Sequence, residues 1–364
     1  MATAVIKLGS NIITRDDGEP RAEVLRHVCE EAAELHRAGH EVVLVTSGAI
    51  PRGMRAMGLP ARPTDIAQLQ GASAVGQGRL YRGYDELLTA EGLTSAQVLL
   101  TFPDLAARRQ YLNARQTLRT LLDWHVVPVI NENDTVATDE ITFGDNDFLA
   151  AQVAILVDAD MLILLTNTEG LLTADPALHP DAARVPEVRD FAEIRDLEIG
   201  ESTSTLGSGG MRSKVVAAEM ATAAGIPAAI VNGIRPGAIV RALRGDDEGT
   251  RFHPSPQPIA SFKLWLKYAK PARGSLEVDA GAAAALRERG TSLLPVGVVA
   301  VHGDFHPGDA VEVTAGNGGP IGKGISNYSA AELRRIKGMK TAELREVMPR
   351  GSEEAVHRDY FVLD

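Results

Sequence analysis

Lysine, glycine and serine come together at two places in this chain in patterns suited to holding phosphate. The longer is Leu206-Gly207-Ser208-Gly209-Gly210-Met211-Arg212-Ser213-Lys214, where three glycines and two serines run into a helical stretch with a lysine near its start. The free N–H groups and the dipole of a helix N-terminus attract anions, and glycines let the backbone approach phosphate oxygens. Lys214 adds a full positive charge. The spacing is not that of a P-loop, because the lysine lies four residues beyond the last glycine. A bare flexible loop is the alternative, and the helix that follows favours phosphate. The shorter pattern is Lys7-Leu8-Gly9-Ser10-Asn11, at the end of an apolar run. A lysine leaving a buried strand there can set its ammonium on a phosphate with main-chain N–H groups close by. Taken alone, an ordinary turn explains it better.

Three further clusters offer donors and acceptors. Thr46-Ser47-Gly48-Ala49 supplies a hydroxyl and a glycine that permits close backbone approach, and it reads equally as a strand-to-helix turn. In Asn131-Glu132-Asn133-Asp134, the Asp134 carboxylate suits a substrate ammonium and the amides suit a carboxylate. Gly144-Asp145-Asn146-Asp147 opens a helical run. A helix cap needs only one such polar residue, and this motif has three. The stretch Thr166-Asn167-Thr168-Glu169-Gly170, by itself, marks only a loop after an apolar strand.

The elements that must position these clusters alternate in type. Strands are expected at 4–8, 41–46, 126–130, 161–165 and 228–231, and helices at 22–37, 105–124, 148–157 and 214–224. Strands apolar on both faces and separated by helices imply a mostly parallel sheet covered on both sides, an α/β three-layer sandwich. The clusters then fall at the carboxyl ends of strands, where open α/β sheets bind ligands. Near Phe252-His253-Pro254-Ser255-Pro256-Gln257-Pro258 the texture changes to an extended connector. The expected division is a catalytic domain at 1–254, a bridging segment at 255–273, a compact β-rich module with one helix at 274–352 and a tail at 353–364.

Composition narrows the function classes. With 364 residues, 45% of them hydrophobic, the chain can bury a sizeable core. A net charge of -11 argues against broad binding of nucleic acid or anionic membrane. The one cysteine, Cys29, reads as a small core residue within a helix. The apolar run at the start is too short for a signal peptide, and no stretch is long enough to span a bilayer, so a cytoplasmic protein is expected. The histidines show no metal-site spacing, and neither a Gly-x-Ser-x-Gly elbow nor a dinucleotide glycine motif is present, which weakens hydrolase and dehydrogenase readings.

The strings Val5-Ile6-Lys7-Leu8-Gly9-Ser10, Val45-Thr46-Ser47-Gly48-Ala49-Ile50, Pro128-Val129-Ile130-Asn131-Glu132-Asn133-Asp134, Phe143-Gly144-Asp145-Asn146-Asp147 and Gly207-Ser208-Gly209-Gly210-Met211 together resemble the amino-acid kinase family. Within it they resemble the members that phosphorylate glutamate and carry a C-terminal PUA domain, and residues 290–295, 322–328 and 357–359 resemble that domain and the C-terminal end. The resemblance covers nearly the whole chain. It implies the amino-acid kinase fold and ATP-dependent phosphorylation of the side-chain carboxylate of L-glutamate to L-glutamyl 5-phosphate, the first step of proline biosynthesis. Matched position by position, it assigns catalysis to Lys7, Lys214 and Asp147, and glutamate binding to Ser47, Asp134 and Asn146. It assigns ATP binding to Lys7, Thr166, Asn167, Ser208, Gly209, Gly210, Met211, Arg212, Ser213 and Lys214. Asn167 stands where related enzymes often have Asp, and Pro51-Arg52 where small residues are common. The resemblance also implies Mg2+ carried with ATP rather than held by a protein cage, a homo-oligomer (dimer or tetramer), feedback by proline, and hand-over of product to glutamyl phosphate reductase.

Rival readings are a family member acting on aspartate, acetylglutamate, carbamate or a nucleotide, and an RNA-binding protein acting through its PUA module. Beyond Gly274 acidic residues outnumber basic ones, so charge does not support RNA binding there. The basic run Arg334-Arg335-Ile336-Lys337 reads as a solvated helix face.

Overall fold

The computed structural model describes residues 1–15, 19–101, 105, 108–136, 146–176, 178–195, 197, 210–256, 261–264, 266–267, 270–316, 318–348 and 351–363. It divides into two compact units, Met1–Pro258 and Ile259–Asp364.

In the first unit the opening apolar run forms β1 (Thr3–Lys7), followed by the short α1 (Ser10–Ile13) and by α2 (Ala22–Arg37). Helix α2 buries Val24, Leu25, Val28, Cys29, Ala32 and Leu35, a helical stripe that packs into the main core. Burial pushes the Cys29 thiol up to about 12, as suits an inert core residue. The next elements are β2 (Glu41–Val45), α3 (Ala49–Ala56), the 25-residue α4 (Ile66–Ala90), β3 (Ser95–Leu100), α5 (Arg108–Asp123) and β4 (Val127–Glu132). The chain continues through α6 (Asn146–Val157), β5 (Met161–Thr166), β6 (Glu187–Val188), α7 (Met211–Ala223), β7 (Ala228–Asn232), α8 (Ala238–Arg244) and β8 (Thr250–Phe252).

The strands form one sheet in the order β3-β4-β2-β1-β5-β7-β8-β6. Every pairing is parallel except β7 with β8. Strand β1 is central and its residues 3–7 are all buried, which is why the run reads as continuously apolar up to its lysine. The chain first builds outward on the β2 side and then crosses back to lay β5 on the other side of β1. The carboxyl end of β1 is therefore the switch point at which an open α/β sheet forms its ligand crevice. Lys7 pairs in register with Val45 on one side and Leu164 on the other, so the ends of β1, β2 and β5 share one edge.

Two details set the geometry of that edge. Helices α3 and α4 cross at backbone contact: a Cβ on Gly53 would lie 1.7 Å from the Ala72 carbonyl oxygen, and one on Gly76 would lie 1.8 Å from that of Ala49. Only glycine fits at both. The fully buried stretch of α8 is capped by a carboxylate from α2, since Glu31 accepts from the N–H groups of Gly237, Ile239 and Val240.

The second unit is built on a five-stranded sheet. Its elements are α9 (Ser261–Leu264), β9 (Ala272–Val278), α10 (Ala280–Arg289), β10 (Val298–Gly303), β11 (Ala310–Ala315), β12 (Pro320–Ser326), α11 (Ala330–Ile336), α12 (Thr341–Val347) and β13 (Val356–Leu363). The strand order is β10-β9-β11-β12-β13. Two segments differ from the sequence expectation. Residues 353–364, expected as a tail, carry β13, which pairs antiparallel with β12 and buries Val356, Phe361 and Val362. Residues near the end of the bridging segment fold onto this sheet: Leu266 is buried with Ala310 and Val362, and Lys323 Nζ donates to the carbonyls of Lys267 and Lys270. The basic run around Arg334 lies on α11, with both arginines exposed and Ile336 buried. Among the described residues no helix is long and apolar enough to cross a membrane.

Candidate active site

The two lysines singled out in the sequence meet on one carboxylate. Lys7 Nζ lies 2.5 Å from Oδ1 of Asp147, and Lys214 Nζ donates to Oδ2 at 3.1 Å. Ser213, the residue before Lys214, sets its hydroxyl 2.8 Å from the same Oδ2. All three charged side chains are buried, with Asp147 fully so. Each comes from a different element: Lys7 ends β1, Asp147 lies in the first turn of α6, and Lys214 lies in the first turn of α7. Burial by itself would raise the Asp147 carboxyl, but the ammonium groups of Lys214 and Lys7 and the Ser213 hydroxyl outweigh it and hold the group well below the ordinary carboxylate range. Two buried ammonium groups side by side suit a polyanion. Gly9 adjoins this corner, and a Cβ there would meet Lys7 Nζ at an ordinary contact distance of 3.4 Å.

Helix α7 begins three residues earlier than the sequence suggests, so Met211, Arg212 and Ser213 are its first turn. Its N-cap is Gly210, which has no side chain with which to cap the first N–H groups. This helix start, next to Lys214, suits an anion. Ser208 and Gly209 lie outside the described residues, as do residues 143–145. At the end of β5, Thr166 is buried and Asn167 exposed.

A second cluster, made of amides and hydroxyls, lies beside the first. Asn146 immediately precedes Asp147, and its Nδ2 donates both to the Thr46 carbonyl at the end of β2 and to Asn131 Oδ1 on β4, the latter at 2.6 Å. Its Oδ1 is buried and accepts no hydrogen bond among the described residues. Ser47 and Gly48 are half-buried, and Gly48, at φ 95°, caps α3 in the left-handed conformation that glycine adopts most easily. Asp134 sits just past β4 and accepts a 2.6 Å bond from the Ser73 hydroxyl. Burial raises the Asp134 carboxyl above its usual value, while the Ser73 bond and the nearby Arg62 charge oppose the shift only in part. Arg52, on α3, is itself half-buried.

The structure thus brings Lys7, Lys214, Asp147 and Asn146 to one edge, with Ser213 and Gly210 beside them. Sequence reasoning missed the contribution of α4, which supplies Ser73 and, through Tyr84, a 2.7 Å bond to the Thr46 hydroxyl. The signal was present in part. Ser73, Leu80, Tyr84 and Leu88 fall at helical spacing and are buried, but glycines at 71, 76, 78 and 83 obscure the helix.

A mostly parallel sheet with paired lysines at its switch point defines a phosphotransferase class, and sequence comparison agrees. Residues 2–232 match the profile of the amino acid kinase family and residues 274–348 that of the PUA domain. The chain belongs to the amino acid kinase family. It is 46% identical to the glutamate 5-kinase of Meiothermus ruber over 362 residues, covering 99% of this chain and 95% of that protein. The glutamate 5-kinase of Synechococcus sp. (strain JA-3-3Ab) is 45% identical over 363 residues, covering 99% and 98% of the two chains. A glutamate 5-kinase of Thermus thermophilus is 45% identical over 363 residues, covering 99% and 96%.

Proposed function

We propose that this chain transfers the γ-phosphoryl group of ATP to the side-chain carboxylate of L-glutamate, giving L-glutamyl 5-phosphate and ADP as the first step of proline biosynthesis. The observation that carries this reading is the convergence of Lys7 and Lys214 on Asp147, one residue from an amide whose buried acceptor has no partner among the described residues. Near-full-length similarity to glutamate 5-kinases supports the choice of acceptor.

The chemistry follows from charge. A glutamate side chain with a pKa of about 4.3 is already an anionic nucleophile at neutral pH, so no general base is required. The barrier lies in bringing one anion onto another and in stabilising charge on the transferring group, so positioning and electrostatics carry the catalysis. Lys7 and Lys214 neutralise that charge from two sides. Asp147 holds both ammonium groups in place without cancelling them. Gly210, Met211, Arg212 and Ser213, with Ser208 and Gly209 just before them in sequence, receive the nucleotide phosphates at the start of α7. Thr166 and Asn167 contact the rest of the nucleotide. Ser47, Asp134 and Asn146 hold glutamate.

Magnesium fits this arrangement as an ion carried on the ATP phosphates. The central carboxylate, Asp147, is taken up by two lysines. Brought in on ATP, the ion would supply positive charge to offset that of the phosphates. The same reading makes the enzyme cytoplasmic and homo-oligomeric, as a dimer or tetramer. It also gives the labile acyl phosphate a direct route to glutamyl phosphate reductase.

ADP release measured against glutamate, aspartate, acetylglutamate and carbamate tests the acceptor, with hydroxylamine trapping to identify the activated carboxylate. Glutamate is expected to give the highest kcat/KM and a glutamyl hydroxamate. A better turnover with any other acceptor overturns the assignment.

A further inference from the structure

The amide chain at the acceptor edge has a polarity, and that polarity is set from one end. At one end stands the Thr46 main-chain carbonyl, which can only accept. It therefore fixes the side of the Asn146 amide that faces it as the NH2 group. The same Nδ2 donates to Asn131 Oδ1, so Asn131 must turn its own NH2 group the other way. There it meets Gln77 Oε1 at 2.7 Å. Gln77 lies on α4, one turn beyond Ser73, whose hydroxyl bonds Oδ2 of Asp134. One face of one helix thus braces two of the three residues that the proposed function gives to glutamate.

The consequence is directional. With both Asn146 hydrogens committed, its remaining atom is the buried Oδ1, a pure acceptor with no partner among the described residues. Asp134 accepts from Ser73 through Oδ2, and as a carboxylate it too only accepts. Free glutamate has one strong donor at neutral pH, its α-ammonium, and its two carboxylates only accept. An edge built of aimed acceptors recognises the ammonium and is indifferent to a dicarboxylate lacking it. We infer that Gln77 and Ser73 are positioning residues that select α-amino acids: Gln77 holds Asn131 in the orientation that takes up the second Asn146 hydrogen and leaves Oδ1 for the substrate, and Ser73 sets the orientation of Asp134. This inference rests on glutamate being the acceptor and adds the device that reads its amino group.

The test uses the full chain with Gln77→Met, Gln77→Glu and Ser73→Ala, after wild-type turnover of glutamate has been measured. Glutarate, which has both carboxylates and no ammonium, serves as a competitive inhibitor. Gln77→Met and Ser73→Ala are each expected to raise the KM for glutamate about tenfold, with kcat, the KM for ATP and the glutarate inhibition constant within about twofold of wild type. Gln77→Glu keeps an acceptor facing Asn131 and is expected to restore most of the glutamate KM. A glutarate constant that rises in step with the glutamate KM, or a Gln77→Glu variant as impaired as Gln77→Met, overturns the inference by marking a general distortion of the pocket. Unchanged glutamate KM in all variants does the same. Ser73→Ala removes one oxygen from a helix and keeps the test open should a Gln77 variant fail to fold. A wild-type enzyme that leaves glutamate untouched overturns the proposed acceptor instead, and this inference with it.

Discussion

The two halves of the site solve different physical problems within one sheet edge. The corner formed by Lys7, Asp147 and Lys214 is made of full charges, all buried, in contact at 2.5 and 3.1 Å. The edge formed by Thr46, Asn131, Asn146 and Gln77 is made of neutral groups in a chain of hydrogen bonds. Charge acts over distance and tolerates small misplacements, so it suits a transferring group whose geometry changes along the reaction. Amides discriminate by direction, because an unpaired buried donor or acceptor is costly, so they suit recognition of a fixed substrate group. Asp147 and Asn146 are adjacent in sequence, and the first turn of α6 delivers one to each half.

The sharpest way to break this comparison is to remove one charge from the corner. Lys7→Ala or Lys214→Ala is expected to lower kcat by about 10²–10³-fold while leaving the KM for glutamate within a few-fold, since the loss falls on the transition state. Steady-state kinetics over both substrates reads this directly. A change confined to KM would move the lysines out of phosphoryl transfer.

Asp147→Asn probes the same corner from the opposite sign. It leaves two buried ammonium groups without their carboxylate, and breaking a buried pair in this way typically costs about 3–5 kcal/mol. Denaturant unfolding at neutral pH is expected to reveal that loss together with a fall in kcat. The pH dependence has a definite sign. Because the folded carboxyl is held below its ordinary value, its contribution is complete above the unfolded pKa of about 3.9 and is lost as pH falls through the folded value. The stability gap between wild type and Asp147→Asn should therefore persist from neutral to mildly acidic pH and close only in strong acid. A constant gap down to the lowest pH would assign the destabilisation to packing.

How much of this was legible in the sequence follows from the range of each interaction. The sheet was, because β1, β2, β4, β5 and β7 are short apolar runs whose burial on both faces writes itself into composition. Lys7 and Lys214 stood out as a lysine at a strand end and a lysine at a glycine-rich helix start. That they share Asp147 is a contact between three distant segments, and no local pattern carries it. Helix α4 was lost for a specific reason. The glycine at 76 that lets it touch α3 is among those that lower its apparent helix propensity, so the packing that makes it useful hides it. Strand β13 was lost because its middle, His357-Arg358-Asp359-Tyr360, is a polar stretch on an outer strand, and only Val356, Phe361 and Val362 face the core.

At the acceptor edge the expected effects are smaller and differ in kind. Asp134→Asn is expected to raise the KM for glutamate about tenfold with the KM for ATP nearly unchanged, the reverse of the lysine variants. Burial raises the Asp134 carboxyl above the usual aspartate range. As pH falls through that raised value, the group gains a proton and loses its charge, so the KM for glutamate should climb at a higher pH than an ordinary aspartate would impose. In Asp134→Asn that limb of the profile should vanish, leaving only the titration of glutamate itself. An identical profile in the variant would place the titrating group elsewhere.

The smallest expected effect comes from Arg212, which belongs to the charged half by position but not by burial. It sits in the first turn of α7 beside Lys214, yet its side chain is exposed. Water screens an exposed charge, and such interactions are typically worth about 1 kcal/mol or less. Arg212→Ala is therefore expected to raise the KM for ATP by about two- to threefold and to leave kcat and the KM for glutamate unchanged. Measured beside Lys214→Ala, it separates two explanations of the corner. If burial is what lets a positive charge act on the phosphoryl group, residues two apart on one helix turn should differ by more than an order of magnitude in kcat. Equal losses would mean that net positive charge near the start of α7 suffices, and that the contact with Asp147 contributes nothing of its own.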